Sequence, residues 1–144
     1  MCGIDRSEAR RSGNLVLVSD KEHWKPEPDD HDYPAAESYL SLLLPPLAVE
    51  GVLKELRAAA IAHWKAKDLL RASGLPLLPA DNPHVSGDLQ KVSKGVKLSP
   101  VLLVRGDMNI PAPMQIADGY HRVCASYHLH EDTDIPCRIA RRPR

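Results

Sequence analysis

The sequence lacks phenylalanine altogether, and aromatic residues make up only 4% of its 144 residues. Binding of single-stranded nucleic acid by base stacking requires exposed aromatic side chains, so the composition disfavours that mode. The sequence also lacks a surplus of either charge, because 19 basic residues balance 19 acidic ones. Since general nucleic-acid binders rely on a basic face, only a local DNA contact stays open. The candidates for such a contact are Arg138, Arg141, Arg142 and Arg144, for which a solvated tail is the simpler interpretation.

The sequence has no run of about 18 apolar residues, so we predict no membrane-spanning helix and no membrane partner. Residues 1–20 contain only the short apolar run Leu15–Val18 and lack the apolar core of a secretory signal. The three cysteines have neither a metal-binding nor a disulfide spacing, which indicates reduced thiols and a cytoplasmic protein. We expect Cys124 and Cys137 to be buried free thiols.

The chain length fits one compact domain, within which the composition marks three segments. Residues 1–33 are predicted to be loop-rich apart from a strand at Leu15–Val18, because residues 25–30 are polar and broken by prolines. Residues 34–74 are predicted to form a helical extension. Residues 75–144 alternate strand and helix patterns and are predicted to form the main domain.

Two helices are predicted in the helical extension. The first covers Ala35–Leu44 and ends at Pro45–Pro46, and the second covers about Ala48–Ala72. A dense apolar stretch joins them, and we expect it to pack on the sheet, with a homodimer interface or a lid as the alternatives. Its members are Leu40, Leu42, Leu43, Leu44, Leu47 and Val49.

Residues 75–140 show the element order β-α-β-β-α-β. The predicted strands are Leu75–Leu78, Pro100–Val104, Met114–Ala117 and Ile135–Ile139, and the predicted helices are His84–Lys94 and Arg122–Tyr127. Proline and glycine punctuation bounds these elements, and the strands are rich in branched apolar residues. The expected fold class is therefore α/β (α+β), with helices packed on a small sheet.

The segment Ile116–Tyr127 is the most informative in the sequence. It predicts a strand end, a tight turn at Gly119 and the start of a helix. A helix start presents free backbone N–H groups and partial positive charge, and Arg122 adds a guanidinium. This combination suits a phosphate or another anion.

Several polar residues near this turn have both structural and chemical interpretations. Asp118 either accepts turn N–H bonds or takes a substrate proton and holds Mg²⁺. His121 either fills a polar gap or acts as an acid or base near neutral pH. Asp81 either caps the next helix or acts as a catalytic base, and His84 is expected to face the same cleft as Asp81.

The ordered set of elements, together with the Asp-Gly-x-His-Arg turn at residues 118–122, resembles the ParB/sulfiredoxin superfamily. The similarity covers roughly Leu75–Ala140. It implies a small mixed sheet with packed helices and a nucleotide-binding function. ParB proteins carry a helix-turn-helix part after this domain, so we expect this chain, which ends at Arg144, not to be a complete ParB.

The resemblance implies that nucleotide phosphates bind at the turn, through Gly119, Tyr120, His121 and Arg122. The turn is similar to that of the free-serine kinases, with Tyr120 in place of a histidine. Those kinases also use an acid early in the domain, where this chain has Asp81 rather than a glutamate. Sulfiredoxins place a reactive cysteine where this chain has Tyr120, so their reaction is not expected. The implied ligand is ATP, ADP or CTP with Mg²⁺.

Three functional classes follow from this resemblance. The first is a nucleotide-binding phosphotransferase or nucleotide hydrolase, in which Asp81, Asp118 and His121 are the catalytic candidates. The second is a non-catalytic module that senses a nucleotide, associates with DNA or serves as an interaction scaffold. The third is a ParB-like nuclease, for which Asp81, Asp107 and Asp118 would have to cluster around a divalent metal.

Overall fold

The computed structural model describes residues 23–144, so the predicted strand at Leu15–Val18 lies outside the described residues. The described part contains five helices and four strands. The helices are α1 (Asp32–Leu40), α2 (Pro46–Ala58), α3 (Ala66–Ser73), α4 (Pro83–Ser93) and α5 (Tyr120–Leu129). The strands are β1 (Ala62–Lys65), β2 (Val101–Val104), β3 (Gln115–Asp118) and β4 (Asp134–Ala140).

The four strands form one mixed sheet in the order β1-β4-β2-β3. β2 runs parallel to β4, whereas β1 with β4 and β2 with β3 are antiparallel. The α+β class with a small mixed sheet is therefore confirmed. Because β3 runs against β2, Asp118 at the end of β3 lies beside Leu102, near the start of β2.

Helices cover both faces of the sheet, as the burial of strand β2 shows. Its four apolar residues are all buried. Val101 and Leu103 pack with α3, α4 and α5 on one face, whereas Leu102 and Val104 pack with α1 and α2 on the other. A strand buried on both faces requires this continuous apolar run. Residues of α1 and α2 thus contribute to the core.

The apolar stretch between α1 and α2 is only partly in that core. Leu40 and Val49 are buried, but Leu42, Leu43 and Leu47 are 82%, 52% and 82% exposed. The prediction that the whole stretch packs on the sheet is therefore wrong for these three leucines. They lie in the connection between the helices and at the start of α2, outside the faces that α1 and α2 turn to the sheet.

The predicted helix Ala48–Ala72 is divided in the structure. α2 ends at Ala58, residues 62–65 form β1, and α3 begins at Ala66. β1 pairs with β4 from Ala62 opposite Cys137 to Lys65 opposite Asp134. This pairing overrides the helical propensity of an alanine-rich segment, as tertiary context commonly does.

The predicted strand at Leu75–Leu78 is not formed, and the segment is irregular. Pro76 has no N–H to donate to a ladder, and Leu75 and Leu77 are exposed rather than buried. Its carbonyl groups instead accept hydrogen bonds from side chains of α5. The first strand of the sheet is therefore β1, and the order from β1 onward is β-α-α-β-β-α-β.

The other predicted elements of the second half are present as α4, β2, β3, α5 and β4, with bounds shifted by a few residues. Cys124 and Cys137 are buried free thiols, as expected. Within residues 23–144, no helix has both the length and the apolarity to cross a membrane.

Candidate ionic site at the start of helix α5

The turn that leads from β3 into α5 requires a glycine. Gly119 has a φ of 112°, in the left-handed region. It also passes directly over β2, because a Cβ on residue 119 would lie 2.4 Å from Val101 Cγ1. Gly119 has no side chain to cap the first N–H groups of α5, so that helix start lacks a side-chain cap from its N-cap residue.

Arg122, in the first turn of α5, lies between two carboxylates. Its Nη2 donates a hydrogen bond of 2.9 Å to Asp118 Oδ2, and its Nη1 lies 3.9 Å from Asp32 Oδ1. The side chain is only 16% exposed. Its Nε is buried and has no hydrogen-bond partner among the described residues. The guanidinium is thus largely shielded from water and paired with two carboxylates. Its Nε donor still lacks a hydrogen-bond partner among the described residues.

Asp32 brings helix α1 to this site. It is the first residue of α1, is 2% exposed, and accepts a hydrogen bond of 2.9 Å from the backbone N–H of Asp29. Ligand atoms of Asp29, His31 and Asp32 all lie within 4.8 Å of one another. A hydrogen bond from Lys25 lowers the pKa of Asp29, so that carboxylate is ionised at neutral pH. The cluster therefore offers oxygen ligands of the kind that Mg²⁺ prefers.

Asp118 is under opposing influences. Its burial raises the pKa of the Asp118 carboxyl, the guanidinium of Arg122 lowers it, and the neighbouring carboxylate of Asp32 raises it again, with a net rise. When both acids are ionised, the two carboxylates and the one guanidinium that they share carry a net negative charge. Any proton or cation that enters the cluster is consequently attracted to this pair.

Two histidines flank the ionic cluster. The rings of His84 and His121 lie 4.6 Å apart, between α4 and α5. Burial and the neighbouring His84 lower the pKa of His121, so its imidazole is neutral at pH 7. Asp88 of α4 interacts electrostatically with both rings and with Arg122, and its burial raises the pKa of its carboxyl.

The side chain of Tyr120 contacts the irregular segment 75–78. Its hydroxyl donates a hydrogen bond to the backbone carbonyl of Pro76. His128, two turns along α5, makes a similar contact with the carbonyl of Leu78 at 2.7 Å. Both side chains thus attach the irregular segment 75–78 to α5. Since the Tyr120 hydroxyl is used in this contact, only its backbone N–H is free to take part in anion binding.

The other predicted site residues divide into two groups. The structure brings together Asp118, Gly119, His121 and Arg122. Asp81 is exposed, and no hydrogen bond or ion pair connects it with the turn within residues 23–144. Nor does Asp81 cap α4, because the side chain of the next residue, Asn82, accepts the capping N–H bonds of His84 and Val85.

The acidic trio expected for a nuclease is not assembled. Asp107 follows the carboxyl end of β2, whereas Asp118 pairs with Leu102 near the amino end of that strand. Asp107 instead forms an ion pair of 3.5 Å with Arg142. The carboxylate that does lie near Asp118 is that of Asp32, the first residue of α1, which sequence reasoning placed in a loop-rich segment.

Sequence reasoning missed Asp29, Asp32 and Asp88 as members of the site. One signal for Asp32 was present, because an acidic residue at the start of a helix is stabilised by the helix dipole. That signal does not identify which partner the carboxylate meets. No protein-family model, curated protein or solved structure matches this chain. The candidate site is therefore defined by its own geometry: a buried arginine and two carboxylates at an uncapped helix start, beside paired histidines.

Proposed function

We propose that this protein binds a nucleotide together with Mg²⁺ at the start of α5. The observation that carries the proposal is the position of Arg122, which lies half-buried between Asp118 and Asp32 at a helix start that has no side-chain cap. The resemblance of residues 118–122 to the ParB/sulfiredoxin turn supports the same ligand.

The phosphates would contact the first-turn N–H groups of α5 and the guanidinium of Arg122. Helix starts bind phosphate because their N–H groups and the helix dipole both favour negative charge. A side chain at position 119 would clash with Val101 and with the guanidinium of Arg122, so glycine is required for this turn.

The metal would be held by Asp32 and Asp118, with Asp29 beside them. Because two carboxylates share one guanidinium, a bare phosphate is repelled by the cluster. A divalent cation held by these carboxylates would supply the positive charge that offsets this repulsion. The proposal therefore requires nucleotide binding to depend on Mg²⁺.

In the catalytic form of the proposal the protein is a phosphotransferase or a nucleotide hydrolase. A neutral His121 can accept a proton from a hydroxyl or from water at pH 7. Positioning and charge stabilisation provide most of the rate enhancement in phosphoryl transfer, and Arg122 is placed to contribute both. The non-catalytic form, a nucleotide sensor, uses the same contacts without turnover.

The first experiment is thermal unfolding with ATP, ADP, CTP and GTP, each with and without Mg²⁺. A nucleotide at about 100 times its Kd adds about 2.7 kcal/mol to the free energy of unfolding. We expect this shift for at least one nucleotide, only with Mg²⁺. Release of inorganic phosphate, measured in parallel, distinguishes a nucleotide hydrolase from a sensor.

Two variants assign the site, and a third controls for charge. Arg122→Gln and Asp32→Asn are expected to abolish the Mg²⁺-dependent shift. Arg71→Gln is the matched control, because its ion pair with Asp68 is exposed. Calorimetric titration below the melting temperature of each variant separates lost binding from lost stability. The absence of a shift with every nucleotide in the parent protein would refute the proposal.

A further inference from the structure

Two surface cavities, of about 570 and 660 Å³, lie at the end of the sheet where β2 and β4 finish. Both are lined by Arg105, Gly106 and Asp107, so this short loop forms their common wall. Neither is lined by residues 118–122, which lie at the opposite end of β2. Their volumes are in the range of small-molecule sites, about 300–1,000 Å³.

The charged residues that line the first cavity are mostly basic. Its charged residues are Arg105, Arg141, Arg142, Arg144, Glu55 and Asp107. Glu55 binds Arg141 through the backbone N–H and Nε, and Asp107 binds Arg142. Within residues 23–144 the side chains of Arg105 and Arg144 have no ion pair or hydrogen bond. Two guanidiniums in this cavity are therefore free to bind an anion.

The second cavity is predominantly apolar. Its apolar lining includes Trp64, Leu69, Met108, Met114 and Ile139. The indole of Trp64 is 45% exposed, and Met108 is fully exposed at the rim. An aromatic or aliphatic group placed here would remove this apolar surface from water, which is favourable in proportion to the area covered.

The wall between the cavities is preformed. A Cβ on Gly106 would lie 2.6 Å from the carbonyl oxygen of Ala112 and from the N of Met114, so only glycine fits there. The backbone N–H of Asp107 donates to Ala112 O at 2.8 Å, and Asp107 Oδ1 accepts from the N–H of Asn109. These contacts fix the backbone of the wall. The backbone beside Arg105 therefore needs no further ordering when a ligand binds.

We propose that the two adjoining cavities form one binding site for an amphiphilic organic anion. Its phosphate, sulfonate or carboxylate binds Arg105 and Arg144, and its aromatic or apolar part lies against Trp64. The concave shape and the apolar half favour a small molecule over a nucleic-acid backbone, which contacts broad basic surfaces and carries its charge along its whole length. This site is separate from the nucleotide site.

The probe for this site is 1-naphthyl phosphate, titrated by isothermal calorimetry into the full chain. Inorganic phosphate and 1-naphthol, which carry only one half of the ligand chemistry, are expected to bind at least about tenfold more weakly. Arg105→Gln, Arg144→Gln and Trp64→Ala are each expected to weaken 1-naphthyl phosphate binding by about tenfold or more. Arg105 and Arg144 have no partners to lose within residues 23–144, so their variants should melt like the parent protein.

Lys97→Gln is the matched control, because Lys97 is exposed and precedes the start of β2. Lys97→Gln and Arg122→Gln should both leave 1-naphthyl phosphate binding unchanged, which separates this site from the nucleotide site. Undetectable binding of 1-naphthyl phosphate, or equal binding to Arg105→Gln, would overturn the proposal. So would preferential binding of an oligonucleotide with a steep salt dependence that the arginine variants abolish, since that result would identify a nucleic-acid surface.

Discussion

Asp118 and Arg122 form a hydrogen bond of 2.9 Å across the turn that joins β3 to α5. The first residue ends the strand and the second belongs to the first turn of the helix, so their contact fixes the angle at which the chain enters α5. Asp32 of α1 approaches the same guanidinium to 3.9 Å. One arginine thus connects three secondary-structure elements, and the following predictions test what each member of this connection contributes.

Gly119→Ala is expected to destabilise the protein by about 1–3 kcal/mol from backbone strain alone, because position 119 has a φ of 112°. The clash of the new Cβ with Val101 adds to this cost. Gly87→Ala provides the control. Gly87 lies inside α4, where a Cβ would meet nothing within 4 Å, so alanine there should stabilise by about 0.5–1 kcal/mol. Urea unfolding of both variants measures the difference, and equal effects would show that the turn tolerates a side chain.

Arg122→Ala is expected to cost about 3–5 kcal/mol, because it leaves the buried carboxylates of Asp32 and Asp118 without their cation. The double variant with Arg122→Ala and Asp32→Ala should lose less stability than the sum of the two single variants. The second change removes one of the carboxylates that Arg122→Ala leaves without a cation. The exposed pair Arg71–Asp68 serves as a reference and should contribute about 0–1 kcal/mol. If the losses of stability in the two single variants add up to the loss in the double variant, Asp32 and Arg122 do not interact in solution.

His121 is expected to make stability depend on pH on the acid side of neutrality. Burial and the neighbouring His84 lower the pKa of His121, so the unfolded chain binds its proton more tightly than the folded protein does. Stability from this group is present above about pH 6.5, the usual pKa of histidine, and is lost as the pH falls toward the lowered folded value.

The measurement is an NMR titration of His121 in the parent protein and in His84→Gln. Removal of the second imidazole should raise the pKa of His121, yet leave it below the usual value, because burial is the larger cause. A His121 that titrates at or above its usual pKa in the parent protein would contradict the contact between the two rings.

Both described cysteines are expected to resist thiol reagents in the folded protein. Burial raises the pKa of Cys137 to about 12 and also raises the pKa of Cys124. Since the thiolate is the reactive form, neither should react with dithiobisnitrobenzoate at pH 8 until the protein unfolds. A Cys2→Ser variant removes the remaining cysteine from the assay. Rapid reaction of the folded variant would show that one of these thiols is accessible.

Local chemistry made much of the second half predictable. The apolar run at residues 101–104 predicts a strand, and Asp118–Gly119 before a helical pattern predicts the turn at the site. In both cases the residues that determine the structure are neighbours in sequence. The fold class follows from the same segments.

The features that were missed depend on contacts between distant segments. Residues 62–65 form a strand because β4 pairs with them, although their sequence is compatible with a helix. Asp32 joins the site because α1 packs on the sheet, which brings it to Arg122. A single sequence contains no signal for either encounter, since the energy that decides them arises only when the distant parts have come together.

The position of β4 in the sheet has a consequence for biosynthesis. β4 is the last strand in the described chain, yet it lies between β1 and β2. While the ribosome is still translating the segment before Asp134, β1 has no partner, and β2–β3 is a lone hairpin whose β2 edge lacks its native partner. Such an edge can pair with other chains. The nascent protein is therefore expected to stay dependent on chaperones until β4 emerges, and premature termination before that point should yield aggregates rather than a shortened folded domain.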